Sequence, residues 1–88
     1  MEIELDPAKA SSNFKKHGVS FEEAATVLYD GMALVQEDID SVGENRWVLI
    51  GLSNKARLIT VVYTLRNNEV IRLISARKAT KKEAEYYA

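Results

Sequence analysis

No cysteine occurs among the 88 residues, which excludes a disulfide framework, a thiolate metal site and a cysteine nucleophile. With a single histidine besides, the chain is poor in zinc ligands, and neither a metal nor a cofactor is expected. No apolar run approaches the ~20 residues that cross a bilayer. The opening Met-Glu-Ile-Glu also lacks the basic and then apolar segments of a secretory leader. A cytoplasmic protein with no membrane contact is the expectation. Internal repeats, low-complexity segments and linkers are missing as well.

What remains is ordinary material for a packed core. Hydrophobic residues make up 47% and charged residues 28%, too apolar a mixture for a disordered chain. The length suits one core and not two, so residues 1–88 read as a single domain. The net charge of -1 conceals a division. Residues 1–44 carry three lysines against ten acids, a net -7, and residues 45–88 carry nine basic residues against three acids, a net +6. Such a split fits either a surface that meets an anion or two halves that complement each other on folding.

Three β-branched runs dominate the second half: R-W-V-L-I-G-L from Arg46, R-L-I-T-V-V-Y-T-L-R from Arg57, and V-I-R-L-I-S-A-R from Val70. Separated by short polar stretches, they predict an antiparallel meander. A two-residue loop at Asn67-Asn68 would set Tyr63 opposite Arg72. A four-residue loop over Ser53 to Ala56 would set Arg46 opposite Tyr63. Arg46, Tyr63 and Arg72 would then stand side by side on one face, with Trp47, Leu49 and Leu73 on the other. A one-residue slip in either loop would dismantle that row.

Helices are expected around the meander. Asp6-Pro7 is a start signal for a helix running to about His17, with Ala10, Phe14 and either Ala8 or Ser11 turned inward and Gly18 just past its end. Ser20-Phe-Glu-Glu23 fits a capping box opening a second helix, with Phe21, Ala24, Ala25 and Leu28 as its apolar stripe and Gly31 as its stop. Glu2 to Leu5 suggests a brief edge strand, Ala33 to Val35 begins another strand, and Glu37 to Glu44 forms an acidic loop. Thr80-Lys-Lys-Glu83 repeats the capping-box spacing before a short terminal helix whose Ala84 and Tyr87 turn inward. The fold class is therefore α+β: two N-terminal helices, an antiparallel meander of about four strands, and a short C-terminal helix.

The combination of K-H-G-V-S-F-E-E-A, V-V-Y-T-L-R and I-R-L-I-S-A-R-K-A-T resembles the BrnT family of type II toxins over nearly the whole chain. The resemblance implies a RelE-like ribonuclease fold, RNA cleavage that inhibits translation, and neutralisation by a BrnA-like antitoxin. Contact with DNA would come only through that antitoxin, in an assembly such as a homodimer or a heterotetramer. The residues that match the family's motifs are Lys16 and His17, Arg46, Arg66, Arg72 and Arg77. One departure is Glu83-Ala84-Glu85, where the family usually has Glu-Arg.

Metal-independent RNA cleavage needs a base for the ribose 2′-OH, cations for the charged phosphorane-like state, and an acid for the leaving oxygen. Arginine suits the second task because its planar fork holds two phosphate oxygens. Arg46, Arg72 and Arg77 are the catalytic candidates of this kind, and Arg66 and Tyr63 the candidates for RNA binding. Arginines at strand ends also serve simply as solvated ends or as partners of Glu44 and Glu69. His17 is the natural acid/base, though a histidine in a last helical turn also complements the helix dipole. Lys16 would serve instead of His17 or hold phosphate, and Tyr63 either packs or stacks a base. Glu22 and Glu23 read first as capping residues. The alternative function is a catalytically weak or inactive binding module acting with an antitoxin in transcriptional repression.

Overall fold

The computed structural model describes residues 2–38, 45–67 and 69–87. Its elements are β1 (Glu2–Glu4), α1 (Pro7–His17), α2 (Phe21–Val27), β2 (Leu34–Asp38), β3 (Arg46–Leu52), β4 (Leu58–Arg66), β5 (Val70–Lys78) and α3 (Lys81–Tyr86). The five strands form one sheet in the order β1-β5-β4-β3-β2. β2 to β5 are the expected antiparallel meander, and β1 adds a parallel edge strand beside β5. The acidic loop falls mostly outside the described residues, as do Glu44 and Asn68.

One face of the sheet carries the core. Leu49, Ile59, Val61, Tyr63, Leu73 and Ala76 are buried against Val19, Phe21, Ala24 and Val27 of the α2 region. Gly51 is required here by space, because a Cβ would meet Val27 Cγ1 at 2.8 Å. α2 is shorter than expected, ending at Val27 with Leu28 as its cap rather than running to Gly31. Its buried positions are Phe21, Glu23, Ala24 and Val27.

α1 starts as read, with the Asp6 side chain accepting from the Ala8 and Lys9 amides and Gly18 left-handed at φ 70°. Ala10 packs against the core as expected, but the buried residue of α1 is a different one. Phe14 is 57% exposed and Ala8 and Ser11 lie outside, whereas Asn13 is buried. Beyond the short β1, the edge of β5 has no strand beside it among the described residues, and the Asn13 amide takes that place. It donates to the Ala76 and Val19 carbonyls at 2.8 and 3.0 Å and accepts from the Ala76 N–H at 3.0 Å. A buried backbone edge must be satisfied somehow, so a polar residue wins the position over Phe14.

Glu23 is likewise not the expected half of a capping box. The Ser20 hydroxyl does accept from the Glu23 amide at 3.0 Å. The Glu23 carboxylate instead accepts from Ser53 Oγ at 2.7 Å and from Arg57 Nε at 2.9 Å, with a second bond from Arg57 Nη2. The Arg57 guanidinium, its largest influence, lowers the Glu23 pKa to about 2. In α3 the Thr80 capping box is complete.

Candidate functional site

Both hairpins differ from the expected register by one residue. Ser53 to Arg57 make a five-residue loop closed by Leu52 opposite Leu58, because Arg57 is drawn out of the strand to reach Glu23. Ala56 adopts φ 58° there, and the Ser53 amide donates to the Arg57 carbonyl at 2.8 Å. At the other end Val70 pairs with Arg66, Asn67 is left-handed at φ 54°, and Glu69 belongs to the turn. Each slip moves β4 by one residue, and in the same direction.

The two slips therefore leave β3 and β5 aligned as expected while changing what stands between them. The row reads Arg46, Thr64, Arg72 instead of Arg46, Tyr63, Arg72. Tyr63 sits opposite Trp47 and Leu73 on the core side, its ring stacked on Trp47 at 6.0 Å, and burial pushes its hydroxyl pKa up. Thr64 donates its hydroxyl to the Asn45 carbonyl at 2.6 Å. Asp38 pairs across from Arg46 and Glu4 across from Arg72, so the row spans all five strands with an acid at each end.

This row lies on the face that α1 and α2 leave uncovered. Arg66, two residues along β4 from Thr64, shares the face, and its Nη1 donates to Glu4 Oε1 at 2.9 Å. Arg72 Nε lies 4.0 Å from the same oxygen. The structure thus sets Arg46, Arg66 and Arg72 on one face, with Glu4 at the β1 end beside Arg66 and Arg72. Nothing in the sequence marked Glu4 beyond its place in an alternating edge strand.

Arg77 stands apart. Between Val62 and Tyr63 the β4–β5 ladder shifts, leaving Ile74 as an extra residue on β5. That bulge puts Arg77 opposite Thr60, on the same face as Arg72 despite the odd spacing of the two. There Arg77 is held by a fork of two bonds, 2.7 and 2.8 Å, to the Glu83 carboxylate of α3, which also accepts from Thr60 at 3.0 Å. Arg77 is the main cause that lowers the Glu83 pKa to about 2. The far end of α3 is tied down by the Tyr87 hydroxyl, which donates to Asp30 at 2.6 Å. Tyr86 lines a groove on this face with Leu34, Val48 and Ile50.

Lys16 and His17 lie at the end of α1 and line a shallow groove with Lys9, Ser12, Asn13, Ile74 and Ser75. They border β5 at the bulge, between Arg72 and Arg77 in sequence, rather than joining the arginine row. Among the described residues, no three His, Cys, Asp or Glu side chains gather as metal ligands, and no helix is long and apolar enough to cross a membrane.

Comparison with known proteins places this architecture. The chain is similar to the 1.1 Å crystal structure of the Brucella abortus ribonuclease toxin BrnT, with a TM-score of 0.70 and 28% identity over 92% of this chain and 99% of that one. Among curated proteins none matches. The model of the family described as "Ribonuclease toxin, BrnT, of type II toxin-antitoxin system" matches residues 5–83, nearly the full length, and the chain belongs to that family.

Proposed function

We propose that the protein is an endoribonuclease toxin whose arginine face grips RNA while a ribose 2′-OH attacks the adjacent phosphate. Arg46, Arg66 and Arg72 supply the cations, Arg77 extends them along β5, and Tyr63 backs the row from the core. His17 or Lys16 moves protons from the α1 groove. The chemistry needs no metal ion. Its consequence in a cell is inhibited translation and growth arrest, relieved by a BrnA-like antitoxin that covers the same face, in a homodimer or a heterotetramer. DNA is met only through that antitoxin.

The observation that carries this reading is the row Arg46, Thr64, Arg72 with Arg66 beside it, on a sheet face bare of α1 and α2, in a member of a ribonuclease toxin family. A polyanion neutralises such a cluster, and guanidinium forks suit a phosphate bearing developing charge. The purified chain should cleave single-stranded RNA in EDTA, and Arg72→Ala should cut the rate by ~10²-fold or more with the fold intact. Growth arrest that survives loss of Arg46, Arg66 and Arg72 together would end the proposal.

A weak or inactive binding module acting with an antitoxin in repression is the second reading. It is favoured by the Glu83 fork that neutralises Arg77. Cloning separates the two, since an active toxin resists expression without its antitoxin.

A further inference from the structure

The ribonuclease reading leaves the base for the 2′-OH proton open between His17 and Lys16, and both lie in the α1 groove rather than on the arginine row. An ammonium, moreover, has donors and no acceptor. We propose that Glu4 is the general base, with Arg66 and Arg72 as the clamp that holds the scissile phosphate beside it. This rests on the ribonuclease reading and names the group that does its first step.

Three observations support the assignment. Two guanidiniums from different strands converge on one oxygen of Glu4, Arg66 Nη1 at 2.9 Å and Arg72 Nε at 4.0 Å. Groups that converge on a carboxylate oxygen can converge on a phosphate oxygen. The Glu4 and Arg66 side chains are 47% and 54% exposed, so water screens their contact and it yields readily to a ligand. Finally, Arg72 Nε is buried and has no hydrogen-bond partner among the described residues. A buried donor without an acceptor calls for explanation, and a ligand oxygen supplies one.

Asp38 closes the other end of the row, across from Arg46. Glu4 stands beside both Arg66 and Arg72, and an ionised carboxylate accepts hydrogen bonds without donating any. When a phosphate takes the guanidiniums, the displaced carboxylate stands beside the ribose that carries it. Glu4 then takes the 2′-OH proton, the 2′ oxygen bonds to phosphorus, and the bond from phosphorus to the 5′ oxygen breaks. The leaving oxygen receives its proton from water, the products are a 2′,3′-cyclic phosphate end and a 5′-hydroxyl end, and the protonated Glu4 returns its proton to solvent. The substrate class is therefore a phosphodiester flanked by a free 2′-OH.

The test uses the full chain, a short single-stranded RNA, and the same oligomer with 2′-deoxyribose throughout, which binds but cannot react. Glu4→Gln should lower kcat by ~10²–10⁴-fold, with affinity for the deoxy oligomer unchanged or tighter. Glu4→Asp keeps the charge, withdraws it by one methylene, and should give an intermediate rate; it supplies the reading if Glu4→Gln does not fold. Cleavage by folded Glu4→Gln at the full rate, or faster, would overturn the assignment and leave Glu4 as an occupant of the phosphate position. So would equal losses of rate and deoxy-oligomer affinity, or a loss of kcat that follows Asp38→Asn instead. If the unsubstituted chain cuts no RNA, the ribonuclease reading itself fails, which is a different result from a chain that cuts without Glu4.

Discussion

Replacing Glu23 by Gln offers a sharp test of how this small domain holds together. The carboxylate is 3% exposed and receives bonds from Ser53 and from both Nε and Nη2 of Arg57. Its pKa falls from an ordinary 4.5 to about 2 in the folded chain. A carboxyl shifted that far contributes about 3 kcal/mol at neutral pH. Because the folded value lies below the unfolded one, this stabilisation is complete above pH 4.5 and is lost as the pH falls toward 2. Glu23→Gln should therefore cost about 3 kcal/mol at pH 7, a large share of the ~5–15 kcal/mol typical of a domain, and should lower Tm by ~10–20 °C. Urea unfolding followed by the fluorescence of Trp47, the only tryptophan, measures the difference at each pH. Glu83 titrates over the same range, but it is common to both proteins and cancels in the comparison. The gap between wild type and variant should narrow steadily below pH 4.5. A gap that stays constant down to pH 2.5, or one under about 1 kcal/mol at pH 7, would refute the reasoning, since breaking a buried ion pair normally costs ~3–5 kcal/mol.

Asn13→Leu would strip three hydrogen bonds from the Ala76 and Val19 backbone. At ~1–3 kcal/mol for each unsatisfied buried group, a loss of several kcal/mol is expected, with the Ala76 amide, now protected, exchanging fastest of the β5 amides in hydrogen-exchange measurements. Gly51→Ala sets a methyl 2.8 Å from Val27 Cγ1 and 3.1 Å from Ala33 Cβ. Overpacking of this kind costs ~1–3 kcal/mol, readable as a lowered urea midpoint with an unchanged slope.

The elements of the fold were legible because each carried its own local signal. Asp6-Pro7, Gly18, Ser20 and Thr80 marked helix ends, and the β-branched runs marked β3, β4 and β5. What escaped were the positions where a side chain answers a distant backbone or charge. Phe14 was the obvious inward residue of α1 and Asn13 was not, yet only Asn13 can serve an unpaired strand edge. Glu23 and Arg57 lie 34 residues apart, and their pairing lengthens by one residue the loop expected over Ser53 to Ala56. The arginine row kept Arg46 and Arg72 because two slips shifted the strand between them and not the strands that carry them. Tyr63 changed faces for the same reason.

The bulge at Ile74 gives β5 two reading frames. Up to Leu73 the odd-numbered residues point into the core, and beyond it the even-numbered Ala76 does. Spacing in this strand thus carries information that residue identity does not. Deleting Ile74 would restore plain alternation and leave the Arg77 guanidinium on its present face opposite Thr60, whereas straightening the strand with all its residues kept would turn Arg77 toward the apolar side and strip Glu83 of its partner.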